Sequence, residues 1–360
     1  MTLLLRCMAT LTLLACLPVS ASAHDWHRHT GHSHEHDHEH NHPSDMPAYT
    51  LTAVTKEQDV DDKPDIARHF EKFQHVRVRW DASTLFVESN GLPDHNMMVG
   101  IRSWQQQVPL PQPFTGNNAW QIPLHPVLAD KPVSAKHNLY RGAIALAVNG
   151  VPIFNALNNR GEDAFLAGEL DQWGGHCGRG DDYHYHMAPV HLEKIVGKGN
   201  PIAFALDGFP IYGLTEADGS PVGKLDALNG QFDPQGRYHY HATKTYPYIN
   251  GGMRGEVTIR GDQIEPQPRD APVRPALQPL RGATITDFKF GDKQSVLTYQ
   301  VRGQTGTVRY SPQGANGWKF TYVEPNGETR TETYQRRPHP EDRGGRRPPP
   351  PRPDNPPPRR

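Results

Sequence analysis

The sequence predicts a mainly β protein, and three observations support that prediction. Short alternating or apolar runs are separated by turns, in a chain with 33 glycines and 35 prolines among 360 residues; this pattern is typical of many short strands. The motif Tyr-His-Tyr-His occurs twice, at residues 183–186 and 238–241, inside a longer duplicated segment. Hydrophobic residues make up only 35% of the chain, which indicates disordered ends around a folded middle.

Residues 1–23 have the features of a secretory signal. Arg6 precedes an apolar stretch that is too short to span a bilayer, and Ala21-Ser22-Ala23 is a cleavage site of the Ala-x-Ala kind. We therefore expect a periplasmic or secreted protein with no transmembrane segment in the mature chain. The alternative is a lipoprotein anchored at Cys16, which follows Leu-Leu-Ala.

The mature chain begins with a histidine-rich arm, predicted to be disordered over residues 24–47. Nine of the nineteen residues from His24 to His42 are histidine, and they show no apolar periodicity. Tracts of this composition are typical of metal binding. The alternative is a solvated arm with no role.

Residues 48–262 are predicted to form one β-rich domain with an internal duplication. The runs at 75–81 and 84–91 alternate and end in a turn, which predicts a hairpin. The duplicated unit covers about 145–186 and 203–241. Its order is an apolar strand, a Gly-x-Pro-Ile turn, a Leu-Asp pair, a glycine-containing loop and Tyr-His-Tyr-His. Duplication of this kind indicates two similar units with a pseudo-twofold relation.

The two Tyr-His-Tyr-His segments are candidate metal-binding strands. Side chains alternate along a strand, so His184 and His186 should share one face, as should His239 and His241, with the tyrosines opposite. Imidazole pairs bind zinc, copper, iron or nickel. If the two units pack face to face, all four imidazoles converge on one ion. The alternative is that each pair is a half-buried packing strand.

Several unusual motifs occur in a fixed order between residues 84 and 255. They are SNGLPDH at 89–95, NGVPIFNALN at 149–158, GGHCG at 174–178, DDYHYH at 181–186, LDGFPIYG at 206–213, YHYHAT at 238–243 and YPYINGGMRG at 246–255. In these motifs the chain resembles the YHYH-domain family of exported proteins. That resemblance implies further cysteines where this chain has Leu228 and Gly252, so a disulfide of the family is expected to be missing here.

Three further residues are candidate ligands. His176 and Cys177 lie in the glycine-rich loop and offer two donors that transition metals accept. His95 follows the turn after the predicted hairpin and is a weaker candidate for the same site. For the loop, the alternative is a tight turn whose glycines allow positive φ.

The remaining chain is predicted to contain no catalytic constellation. Residues 263–281 are a Pro- and Arg-rich linker, 282–335 are five short strands of a small antiparallel β meander, and 336–360 are a disordered Pro/Arg-rich tail. The formal net charge of −1 gives no field that would recruit nucleic acid.

Two classes of function stay open at this point. The first is a periplasmic binding protein that buffers, delivers or senses zinc or copper, with metal ions as its partners and a second envelope protein as an open option. The second is an exported metal-dependent enzyme, a hydrolase with Asp182 or Asp207 as base or a copper oxidoreductase. The arm favours the binder, for which we expect a largely closed site walled by the motif's tyrosines, Tyr183, Tyr185, Tyr238 or Tyr240.

Overall fold

The structure, a computed structural model, describes residues 63–336. The predicted signal, the arm, residues 48–62 and the tail from 337 lie outside the described residues. The strands are β1 Arg77–Trp80, β2 Thr84–Glu88, β3 Trp120–Pro123, β4 Leu128–Ser134, β5 Ala143–Ala147, β6 Pro152–Phe154, β7 Gly175–Cys177, β8 Tyr183–Tyr185, β9 Ala203–Ala205, β10 Pro210–Tyr212, β11 Gly230–Phe232, β12 Tyr238–His241, β13 Gly252–Gly255, β14 Thr258–Arg260, β15 Gln263–Glu265, β16 Ala283–Lys289, β17 Ser295–Val301, β18 Gln304–Gln313, β19 Gly317–Val323 and β20 Thr329–Gln335.

Helices are short in this part of the chain, and the prediction of a mainly β fold is confirmed. The α-helices are α1 Ala67–Phe70 and α2 Glu193–Val196, and single 3₁₀ turns occupy Gly116–Asn118 and Val190–Leu192. Between residues 63 and 336, no helix has the length and apolar character needed to cross a membrane. Residues 162–173 form no helix. One turn forms there, and Gly168, at a φ of +71°, ends it.

The two duplicated units form one continuous eight-stranded sheet. Its strand order is β11-β12-β10-β9-β5-β6-β8-β7. The two halves meet where β5 pairs antiparallel with β9, with Leu146 opposite Phe204. These two residues occupy equivalent positions of the repeat, so a local twofold axis runs through the middle of the sheet. Both central strands are fully buried and rich in alanine, which allows close packing on each face.

The register places the motif's tyrosines on one face of this sheet and its histidines on the other. Tyr185 lies beside Ile153, which pairs with Ala145. The next row on the same face, two residues along β5, runs through the central strands to Tyr240. Because neighbouring residues across a sheet point to the same side, the tyrosines of both units share one face. The prediction that histidines and tyrosines alternate between faces is therefore confirmed.

The face-to-face packing that would bring the four imidazoles together does not occur. They lie side by side, and β8 and β12 are five strand-to-strand steps apart in the sheet. At about 4.8 Å per step, the two histidine pairs are separated by roughly 24 Å within the sheet. Four imidazoles therefore do not converge on one ion, because β5 and β9 join the two units edge to edge in one sheet.

Smaller sheets pack around this central one. β1 and β2 form the predicted antiparallel hairpin, and β3 adds a third strand. β16 to β20 form the predicted five-stranded antiparallel meander in sequential order. Part of the predicted linker is structured, because β15 pairs with β14.

Candidate metal sites

The first tyrosine of each motif is fixed by the aspartate of the Leu-Asp pair. The hydroxyl of Tyr183 donates to Asp171 at 2.8 Å, and that of Tyr238 donates to Asp226 at 2.8 Å. Each aspartate also accepts backbone N–H groups of its own turn. The repeated Leu-Asp therefore holds the strand that carries the histidines.

The second tyrosine of each motif is fixed by the residue that begins the Gly-x-Pro turn. Asn149 donates to the hydroxyl of Tyr185 at 3.1 Å, and Tyr240 donates to Asp207 at 2.6 Å. Both tyrosines are fully buried. Two buried side chains with polar anchors on one face leave the strand little freedom to rotate, so the imidazoles on the other face are pre-positioned.

Site A consists of His176, His184 and His186. The β7–β8 hairpin places His176 opposite His184. The Nε2 atoms of His176 and His186 lie 3.0 Å apart. One ligand atom from each of the three rings falls within 4.8 Å of the others. Phe154 stacks on His184 with ring centroids 3.9 Å apart and closes that side of the site.

Hydrogen bonds to backbone carbonyls orient the three rings. Nδ1 of His186 contacts the carbonyl of Asn155, and Nδ1 of His184 contacts that of Asp182 at 3.0 Å. The His176 ring is hydrogen-bonded to the backbone of Glu169. A carbonyl only accepts, so each ring nitrogen facing one carries the proton. The other nitrogen, Nε2, is left with a lone pair, and the Nε2 atoms of His176 and His186 face each other in site A.

Burial keeps the imidazoles of His176 and His186 neutral. Desolvation, followed by the charges of His184 and His186, lowers the pKa of His176 well below its usual value. Desolvation, followed by His184, lowers the pKa of His186 to about 3. Neutral imidazole is the form that binds metal, so protons do not compete for these two ligands near neutral pH.

Site B consists of Glu216, His239 and His241. Nε2 of His241 lies 3.6 Å from Oε2 of Glu216, and one ligand atom from each residue falls within 4.8 Å of the others. Nδ1 of His241 faces the carbonyl of Gly213 at 3.0 Å. Its Nε2 is buried and has no hydrogen-bond partner. The side chain of His241 is 1% exposed, so a buried lone pair lies beside the carboxylate of Glu216.

Residues 119–220 match the family described as YHYH protein. This match assigns residues 119–220 to the YHYH family. The match covers all of site A and Glu216 of site B, and it ends before the second Tyr-His-Tyr-His. A search of the curated proteins found no match, and a search of the solved structures found none either.

Two sequence-predicted ligands of the YHYH domain lie on the wrong face of the sheet. Cys177 is opposite Tyr183 in the β7–β8 pair, so it shares the tyrosine face, where burial raises the pKa of its thiol well above the usual value. Nε2 of His95 lies 2.7 Å from the hydroxyl of Tyr185, and its ring stacks on Trp173. The expectation that these two residues complete the histidine site is wrong, because β8 separates them from it.

The tyrosines of the two Tyr-His-Tyr-His motifs do not line either site, because their hydroxyls are hydrogen-bonded on the opposite face of the sheet. Phe154 packs against site A, and the equivalent Tyr212 packs against site B with ring centroids 5.4 Å from His239. Glu216 was missed at the sequence level. An alignment of the two repeats could have found it, because Glu216 stands where the first repeat has Asn158.

His95 should make the folded state sensitive to acid. Desolvation lowers the pKa of His95 to about 4 from an ordinary 6.5. Nε2 of His95 accepts from the hydroxyl of Tyr185, which it can do only while it is unprotonated. The unfolded chain then binds a proton at a higher pH than the folded one does. The stability contribution is complete above pH 6.5 and is lost as the pH falls towards 4, by up to about 3 kcal/mol.

Urea unfolding of the wild type and of His95→Gln, at pH values from 7 to 4, measures this effect. The difference in stability between the two proteins should shrink as the pH falls. A difference that stays constant over this range would show that the folded His95 titrates normally.

Proposed function

We propose that this YHYH protein is an exported transition-metal-binding protein that holds one zinc or copper ion at each of sites A and B. The single observation that carries the proposal is the set of unprotonated imidazole nitrogens directed at common points. They are clearest in the His176–His186 pair and in the unpartnered Nε2 of His241.

The arrangement of the rings in site A is more favourable with a bound metal ion than without one. Two Nε2 lone pairs 3.0 Å apart repel each other unless a cation lies between them. Around a tetrahedral ion with bonds of about 2.0–2.1 Å, neighbouring ligands are roughly 3.3 Å apart. Small adjustments of the rings would therefore close the site on one ion.

In site B, an ion would satisfy a buried group that otherwise costs stability. A buried polar atom with no partner costs about 1–3 kcal/mol. Nε2 of His241 is such an atom. Glu216 adds a negative charge beside it, which favours a cation further.

Three protein donors leave a fourth position for an exchangeable ligand, and this supports capture and release of the ion. The histidine-rich arm would collect ions outside the cell or in the periplasm, and the two sites would then hold them. The export signal and the composition of the arm support this part of the proposal.

A metal-dependent hydrolase is the second candidate. The donor sets, three histidines in site A and two histidines with a glutamate in site B, are those of catalytic zinc sites that keep one position for water. The predicted bases are unfavourably placed, however. The carboxylate of Asp182 faces Nδ1 of His184 at 3.3 Å, behind the ring, and Asp207 is bound to Tyr240 on the other face. Copper redox chemistry through the tyrosines is unfavourable for the same reason.

Changing each histidine pair separately tests the proposed function. His184→Gln with His186→Gln should remove one bound ion per chain, and His239→Gln with His241→Gln should remove the other. The reason is that each pair supplies two of only three donors. Elemental analysis and zinc titration of the full chain measure the change, and the arm contributes equally to every sample.

A matched control changes His125 and His137, which are exposed histidines of the same domain, to glutamine. This variant should bind as many ions as the wild type. If all three double variants bind zinc and copper like the wild type, the two YHYH pairs are packing strands and the proposal fails. Hydrolysis of model esters by the zinc-loaded wild type, lost in one pair variant, would favour the second candidate.

A further inference from the structure

The two repeats correspond residue by residue, so their sites can be compared position by position. Leu157 bridges Asp163 in the first repeat, and Thr215, 58 residues later, bridges Pro221 in the second. In the hairpins, His176 pairs with His184, and Gln231, 55 residues later, pairs with His239.

This correspondence reveals a reciprocal difference in the third donor. Glu216 of site B occupies the position that Asn158 has in the first repeat. His176 of site A occupies the position that Gln231 has in the second. Each repeat thus has one donor beyond its YHYH pair, but the donor differs in chemistry and comes from a different element.

Local hydrogen bonds hold each third position in its role. Gln231 donates to Oε1 of Glu216 at 2.7 Å, and this leaves Oε2 on the side of His241. In the first repeat, the amide of Asn158 donates to Glu162 and Glu169, at 3.1 Å each. The amide of Asn158 is therefore engaged by these two carboxylates, which also pair with Arg160.

We propose that sites A and B select different metals, an inference that rests on the proposed function. Site A, with three imidazoles, takes copper or zinc. Site B, with two imidazoles and a carboxylate, takes in addition harder divalent ions such as Fe²⁺ and Mn²⁺. One protein would then bind two classes of metal on one face of one sheet.

The chemical reason is the match between donor and ion. Imidazole nitrogen suits copper, zinc and nickel, while carboxylate oxygen suits manganese and magnesium, and two histidines with one carboxylate are a typical Fe(II) set. The charge of Glu216 lowers the net charge of a filled site B to +1, whereas site A, with neutral ligands, keeps the full +2. The binding free energy of an ion in site A must therefore come mainly from its bonds to nitrogen. Harder ions form weaker bonds to nitrogen, so they bind less well there.

Parallel titrations of the metal-free full chain with manganese and with zinc test the inference. The loss of the electron paramagnetic resonance signal of free Mn²⁺ reports manganese binding, and calorimetry reports zinc. The variants are Glu216→Gln and His176→Gln, each of which removes the third donor of one site. Mutating a residue that only hydrogen-bonds to a metal ligand typically lowers metal affinity 10–100-fold, so losing the ligand itself should lower it roughly 100-fold or more.

We expect the wild type to bind one Mn²⁺ and Glu216→Gln to lose it, while zinc binding at site A shows that this variant is folded. His176→Gln should keep Mn²⁺ binding and lose zinc affinity at one site. The inference is overturned if the wild type binds no Mn²⁺, if Glu216→Gln binds it normally, or if each variant loses one of two Mn²⁺ ions. Failure of zinc and copper to bind at all would instead overturn the proposed function.

Discussion

Replacing Arg274 with methionine should lower the free energy of unfolding by about 3–5 kcal/mol, the usual cost of removing one partner of a buried ion pair. The guanidinium makes two bonds of 2.8 Å to Asp181, and it donates to Tyr322 at 3.0 Å. It also lies over the ring of Phe320 at 4.7 Å. Methionine fills similar volume, so the loss is mainly that of charge.

The cost arises because Asp181 would stay buried without a counter-charge. Asp181 is 3% exposed and lies near the end of the turn before the first Tyr-His-Tyr-His, with a φ of +60°. Arg274 therefore joins this turn, next to site A, to the C-terminal sheet. Its position in the predicted linker shows that this segment has a structural role.

Urea unfolding monitored by fluorescence measures the effect. Arg281→Met, at an exposed arginine seven residues away, is the matched control and should change stability by less than about 0.5 kcal/mol. Adding Asp181→Asn to Arg274→Met should restore much of the loss, since Asn keeps the oxygen that accepts from Val108. A loss below 1 kcal/mol in the single variant would show that water or another cation replaces Arg274.

Metal loading should have the second large effect. With free zinc at a hundred times the dissociation constant of a site, the free energy of unfolding should rise by about 2.7 kcal/mol per site. For two sites the total is roughly 5 kcal/mol, because the ligands converge only in the folded chain. Chelation should reverse the gain fully.

Deleting residues 24–42 provides the control for this experiment. We expect the metal-free protein without the arm to melt like the wild type and to keep the zinc-dependent gain, while it binds fewer ions in total. A gain that disappears with the arm would place the stabilising ions there instead of in sites A and B. A gain that keeps its full size in each of the two YHYH-pair variants would exclude both sites.

The local elements could be predicted from sequence because their signals are local. The β1–β2 hairpin and the five C-terminal strands follow from alternation of apolar residues between turns. The opposite faces of His184 and Tyr185 follow from the two-residue period of a strand. The ligand set could not be predicted in the same way. His95 and Cys177 are near the motif in sequence or in space, but the sheet itself lies between them and site A.

By itself, the sequence determined that there are two copies of one β unit, each with a histidine pair on one side of a strand. Only the tertiary structure decided how the copies join. Pairing of β5 with β9 extends a single sheet, so the pairs stand far apart and each needs its own third donor. His176 supplies it in one unit through strand pairing, and Glu216 supplies it in the other through a turn. The sequence offered His176 as a candidate, but strand pairing and a turn decided which residue became the third donor of each pair, and a residue pattern along one segment does not specify those contacts.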